Sequence, residues 1–262
     1  MANIFTASID AAIVPPWGSV YVNGGNTIAV DSSSQLFGTG SMKGTFNGAG
    51  YYCMATKTGI NPTGNTTIWF HTLVKFPGAL AHAGDINLFD MNSGGALVYY
   101  VKVFLQEGTG GDADAWRIKY EVYDFVAPFT NYLRDTLNSA YYDPSAGLWA
   151  VCKYTTGAGT GAAELYVTVG TAAESITPDD TAAGLTITAL GDTTCDVNCG
   201  NQLSSGPTAG SIYWDEFHLD TAHLDNPLYV PPPAAGYDPE FYLLHRKYLD
   251  SNGVLLQDIT NF

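Results

Sequence analysis

The sequence predicts an all-β fold, two antiparallel sheets packed as a sandwich, followed by an extended C-terminal arm. Three observations predict it. Short apolar or alternating runs recur over residues 5–230, separated by Gly, Asn, Asp, Ser and Pro clusters. No segment before residue 230 carries a helical period with caps. The 262 residues are 46% hydrophobic and only 13% charged, with 29 Gly and 17 Tyr, a mix that suits many strands joined by tight turns. An all-β sandwich of this length commonly forms one domain.

The elements follow in order. Residues 19–30 place Val20, Val22, Ile28 and Val30 on either side of Asn23-Gly24-Gly25-Asn26, a hairpin signal. Residues 41–46 and 50–56 are strands split at Asn47-Gly48. In residues 66–76, Ile68, Phe70, Thr72 and Val74 alternate with Trp69, His71, Leu73 and Lys75. Residues 85–91 form an apolar strand ended by Asn92-Ser93-Gly94-Gly95, and residues 96–106 read as a central strand packed on both sides. In residues 115–125, Trp116, Ile118, Tyr120 and Val122 alternate with Arg117, Lys119, Glu121 and Tyr123. Strands at 148–155, 163–169 and 185–190 continue the series, with a flexible glycine-rich turn at 157–161. The last body strand holds Gly210-Ser211-Ile212-Tyr213-Trp214-Asp215-Glu216-Phe217-His218-Leu219-Asp220. Pro231-Pro232-Pro233-Ala234-Ala235 is a stiff linker between a body at 1–230 and an arm at 236–262. The arm reads as a β-hairpin turning at Asp250-Ser251-Asn252-Gly253.

Charge and cysteine usage exclude several classes. The net charge is −15 with only 10 Lys and Arg, so no basic stripe is visible for nucleic acid or an anionic membrane. No run approaches the ~20 apolar residues of a helical membrane span, and the first ten residues lack the pattern of a signal peptide. That start suits a chain kept inside the cell, a mature form, or a virion component released by lysis to act at an extracellular surface. Four cysteines are too few for a disulfide scaffold. Cys195 and Cys199, read as lying in a polar loop, suit a small disulfide, two free thiols or half of a metal site. Cys53 and Cys152 read as buried thiols.

Three segments carry a family resemblance. Gly38-Thr39-Gly40-Ser41-Met42-Lys43-Gly44-Thr45-Phe46 resembles an early strand of the concanavalin A-like lectin/glucanase (laminin-G-like) jelly rolls. Gly147-Leu148-Trp149-Ala150-Val151 with Gly161-Ala162-Ala163-Glu164-Leu165-Tyr166-Val167 resembles a later strand pair, and residues 210–219 resemble the last strand. The segments come in the family's order. The resemblance implies a jelly roll and leaves function open, because the family holds lectins, glycosidases, lyases, adhesion modules and viral surface domains.

The site candidates divide by chemistry. The family's glucanases carry an E-x-D-x-x-E pattern, which supplies the two carboxylates of glycoside hydrolysis. That pattern is missing here. Glu216, His218 and Asp220 are expected to share a strand face, with Asp215 and Glu216 fixing a bend by hydrogen bonds. Its lyases use an Arg, a Gln-x-His and a Tyr-x-x-x-Tyr strand. Arg occurs only at 117, 134 and 246, and Gln-x-His is missing. Hard oxygen ligands at Asp112 and Asp114 in a Gly-rich loop, or at Asp215 and Glu216, suit Ca²⁺ as the one candidate cofactor. His218, Asp220, His223 and Asp225 also have ligand-like spacing. Trp17, Trp116, Tyr123, Tyr141 and Tyr142 are the candidates for stacking on pyranose faces of a glycan. In the arm, Phe241, Leu243, Leu249, Leu255 and Leu256 would lie wet on a lone hairpin and read as an assembly surface for a homo-oligomer.

The expectation from these features is a non-enzymatic surface or assembly protein with a jelly-roll body, such as a structural or decoration protein of a virus or phage particle. The alternative is a carbohydrate-binding module or lectin, and a polysaccharide-cleaving enzyme comes third.

Overall fold

The computed structural model describes residues 3–33, 36–48, 50, 52–76, 81–83, 85–93, 99–107, 116–123, 131–135, 142–175, 177–187, 193–201 and 206–229. The described strands, in chain order, are β1 (Asn3–Ala7), β2 (Ser19–Val22), β3 (Thr27–Asp31), β4 (Ser41–Phe46), β5 (Cys53–Ile60), β6 (Thr67–Lys75), β7 (Ala81–Ala83) and β8 (Ile86–Ser93). They continue with β9 (Tyr99–Glu107), β10 (Trp116–Tyr123), β11 (Asn131–Asp135), β12 (Leu148–Thr155), β13 (Gly157–Val169), β14 (Asp180–Ile187), β15 (Cys195–Asn201) and β16 (Gly206–Asp220). One turn of 3₁₀ helix, Pro144–Ala146, is the only helical element among the described residues. The chain divides into Met1–Tyr229 and Val230–Phe262. The linker, the arm and its five assembly residues, Phe241, Leu243, Leu249, Leu255 and Leu256, lie outside the described residues.

The strands form two antiparallel sheets of a jelly-roll sandwich. The first runs β14-β13-β12-β6-β16-β4-β3, with β1 and β7 also paired to β16. The second runs β11-β10-β9-β8-β15-β5-β2. The alternation read in residues 66–76 decides which side faces in. Ile68, Phe70 and Val74 point to the core and are fully buried, while Trp69, His71 and Leu73 take the outer side. Phe70 of the first sheet stacks on Phe89 of the second, centroids 5.4 Å apart and planes 4° apart, and Phe217 packs beside Phe89. Each such side chain taken from water stabilises the fold by about 1.5–3 kcal/mol before entropy is subtracted. Gly44 is required at this packing level. A Cβ there would stand 2.6 Å from Cys53 Sγ and 2.8 Å from the Trp214 ring.

Two turns do not do what their residues suggest. Asn23-Gly24-Gly25-Asn26 does not close a hairpin: β2 pairs with β5 in the second sheet and β3 with β4 in the first. Asn47-Gly48 likewise lies between strands of different sheets. The Asn26 amide fixes the first crossing by donating to the carbonyls of Gly50 and Tyr52. The glycine-rich run at 157–161 is not a loop but the start of β13. Cys195 and Cys199 lie on strand β15 rather than in a loop, paired on both sides. Four residues of strand separate them by roughly 13 Å, too far for a disulfide. All four cysteines are free and buried.

Candidate functional site

The sandwich has two outer faces, and they differ in kind. On the first sheet, Trp69, Leu73, Trp149, Val151 and Tyr166 form a second, smaller apolar cluster. Residues 221–229, which follow β16, lie over it, with Leu224 and Leu228 packed on the cluster. His71 is fully buried beneath them and accepts the Leu224 N–H at Nε2, 3.1 Å. Burial, with His218 and His223 nearby, holds the His71 pKa well below the usual 6.5, so the ring is neutral. This face is filled by its own chain.

The end of β16 turns on a bulge between Asp215 and His218. Glu216 sits there at φ 45°, the one described non-glycine residue with positive φ, a conformation that costs a residue with a Cβ some strain. Asp215, 2% exposed, accepts hydrogen bonds from Ile9 N, Glu216 N and Ser41 Oγ. Its oxygens thereby tie the chain after β1, and β4, to β16. Burial is the main cause that pushes its carboxyl up to about 7. Glu216 is bonded to Ser8 Oγ and lies 3.1 Å from His218 Nε2. Asp220 caps the following turn by accepting from Thr221 N and Ala222 N. Of the expected trio, Glu216 and His218 are in contact and Asp220 caps the following turn, while Asp215 and Glu216 serve as ties between strands.

The other expected residues are also placed. Trp17 is 2% exposed, its ring against Phe5 at 5.0 Å and Phe217 at 5.2 Å. Trp116 is 2% exposed against Phe76, and its backbone forms a two-way bridge with buried Tyr142. These three rings are packed in the core and present no face to a sugar. Tyr141, Asp112 and Asp114 lie outside the described residues. Tyr123 ends β10 in phase with Arg117, Lys119 and Glu121, opposite to the buried Ile118 and Tyr120.

The second outer face carries a set of polar side chains. Cross-strand register aligns Ser19, Thr56, Asn198, Asp90, Lys102, Glu121 and Leu133 in one row spanning all seven strands. Asp90 Oδ1 accepts the side-chain amides of Asn198 and Asn92 at 2.8 and 3.2 Å, and Oδ2 accepts that of Asn87 at 3.0 Å. Thr56 Oγ1 donates to Asn198 Oδ1 at 2.7 Å. Ser19 is exposed, Thr56 and Glu121 half-buried, Asn198 3% exposed and Asp90 fully buried. Burial along the described part of the row thus rises from Ser19 to Asp90. A braced set of amide and hydroxyl groups on rigid strands is the arrangement that orients a polyhydroxyl ligand. Sequence reasoning missed Asp90, Asn198, Thr56 and Asn92, because only strand register brings them together.

Solved structures share this fold. The endo-β-1,4-glucuronan lyase of the fungus Trichoderma reesei matches with a TM-score of 0.63 at 13% identity, over 87% of this chain and all of that one. The binding domain of botulinum neurotoxin serotype G matches with a TM-score of 0.50 at 12% identity, over 86% of this chain and 49% of that one. No family model and no curated protein matches the sequence. The shared fold is a jelly-roll sandwich.

The likeness corrects two expectations. The two matched structures are a polysaccharide lyase and a toxin binding domain, and they give the virus or phage structural reading and the homo-oligomer reading no support. The expectation of no enzyme rested on the scarce Arg and missing Gln-x-His of the family's lyases and on the missing E-x-D-x-x-E pattern. That pattern serves hydrolysis by two carboxylates, whereas the fungal protein of the same fold is a lyase.

Proposed function

We propose that this protein binds a polysaccharide along the polar row of the second sheet and cleaves it at uronate residues by β-elimination. Membership in the concanavalin A-like superfamily, finer than the shared jelly roll, is part of the proposal. The observation that carries it is the seven-strand row, most buried at Asp90 among its described residues and braced there by three side-chain amides. The lyase on the same fold supports the reaction type.

The chemistry of the row favours elimination over hydrolysis. Hydrolysis needs two carboxylates poised as acid and base or nucleophile. Of the two carboxylates in the row, Asp90 is fully buried with both oxygens engaged by amides, so it is not poised as one of a hydrolytic pair. In elimination, a base takes the proton on the carbon bearing the uronate carboxyl. Its electron pair forms the new C=C bond, the glycosidic C–O bond breaks, and the leaving oxygen takes up a proton. The carboxylate must be held by cations or hydrogen-bond donors so that the proton becomes acidic. Lys102 lies on β9, and Arg117 and Lys119 on β10, three of the chain's ten Lys and Arg. The described strands of this sheet contain no histidine, and the proton carrier is assigned to Tyr123 on β10.

The test is incubation with glucuronan, alginate, pectate and neutral glucans. The expected result is ultraviolet absorbance of an unsaturated uronate from an acidic polymer, lost in Arg117→Ala and Tyr123→Phe. Retention of polymer without any cleavage would leave binding standing and overturn the elimination. No retention of any polymer would overturn both.

A further inference from the structure

The segment after β16 carries a feature that neither the polar row nor the packing of the first outer face uses. His223 Nε2 lies 2.9 Å from Glu174 Oε1. Asp225 completes a group in which one ligand atom from each residue lies within 4.8 Å of the others. The Glu174 side chain is only 8% exposed, and its second oxygen, Oε2, has no hydrogen-bond partner. A buried carboxylate oxygen left bare costs more than a solvated one. Nature rarely leaves such an atom without a proton donor, a water or a cation.

We propose that Glu174, His223 and Asp225 bind a divalent transition-metal ion, with Zn²⁺ as the best-fitting probe. The donor set decides the class. One imidazole and two carboxylates suit Zn²⁺ and its neighbours, whereas Ca²⁺ takes oxygen ligands alone. Two carboxylates also match the ion's double charge. Ligands at about 2.0–2.2 Å from Zn²⁺ stand roughly 3.0–3.5 Å from one another. The His223–Glu174 distance is already close to that range, and Asp225 needs only a side-chain adjustment from its exposed position. Three protein ligands leave a coordination position for water or a ligand atom.

The surroundings hold the ligands in place. The Asn226 amide donates to the carbonyls of Gly170 and Ala172, 2.9 and 3.1 Å, which fastens the 221–229 segment to the turn after β13. Leu224 N is pinned on His71 between the two metal-ligand positions of that segment. The His223 ring lies 4.9 Å from the Trp69 ring. Glu174 thus approaches from the β13–β14 connection, and His223 and Asp225 from the segment it faces. A bound ion would tie the same two segments that Asn226 ties, and would stabilise the cover over the apolar cluster.

The test uses the full-length protein after chelator treatment, titrated with Zn²⁺ alone by calorimetry and followed by thermal unfolding. The expected result is one ion per chain at micromolar concentration and a rise in the melting temperature, with no such rise from Ca²⁺. Glu174→Gln and His223→Gln should each weaken binding at least tenfold and abolish the rise. His223 and Asp225 are exposed, so His223→Gln and Asp225→Asn test the site without disturbing the core. Co²⁺ in place of Zn²⁺ should give visible absorption bands that His223→Gln alters. Absence of stoichiometric Zn²⁺ binding, or binding that all three variants retain unchanged, would overturn the site. Neither outcome depends on any action on polysaccharide.

Discussion

Asp215→Asn separates the cost of a buried charge from the worth of its hydrogen bonds. Asp215 is 2% exposed and holds three hydrogen bonds that join β16, β4 and the chain after β1. Burial raises its carboxyl from 3.8 to about 7, opposed by those three hydrogen bonds and reinforced by Glu216. The folded protein therefore holds this proton to higher pH than the unfolded chain does. Between the two values the native state binds more protons, so stability falls as pH rises through that window and is lowest above it. The gap from 3.8 to about 7, at 1.36 kcal/mol per pH unit, amounts to about 4 kcal/mol. Asparagine has the same shape and no charge. Its carbonyl can accept the Ile9 and Glu216 N–H groups, and its amide can donate to Ser41 Oγ. The assay is urea unfolding of both proteins at about pH 4 and about pH 8, read as the difference of differences so that every other titrating group cancels. The variant should gain on the parent by up to about 4 kcal/mol between those values, and should be the more stable protein at the alkaline one. An equal stability difference at both pH values would refute the reasoning.

Two further outcomes follow from the same structure. Trp17→Ala removes a ring packed on Phe5 and Phe217, so it should cost about 3–5 kcal/mol in urea unfolding; a variant as stable as the parent would show that the ring is not core. His71 is buried neutral, so the unfolded chain alone takes up its proton below about pH 6.5. The parent should lose stability as pH falls through that value, and His71→Gln should lose less; identical acid limbs in the two unfolding profiles would remove His71 as a cause.

The sequence by itself determined the class of fold and many of its strands. Alternation in residues 66–76 and 115–125 needs no partner to be read, because a strand with one face in the core must alternate at period two. The buried, free state of Cys53 and Cys152 was legible for the same local reason. Tertiary structure decided which strands meet. Asn23-Gly24-Gly25-Asn26 has hairpin chemistry, yet β2 and β3 enter different sheets, because partner choice rests on long-range contacts that a turn does not encode. The bulge at Glu216 is equally invisible in the sequence, since it arises where β16 shifts register against β6. Trp17 is an aromatic residue in a polar context. Only the packing shows that Trp17 is core. The polar row gathers residues from Ser19 to Asn198, and Glu174 meets His223 across 49 positions of chain. Such constellations are properties of strand register and loop closure, which the whole fold fixes through many weak contacts and no single segment specifies.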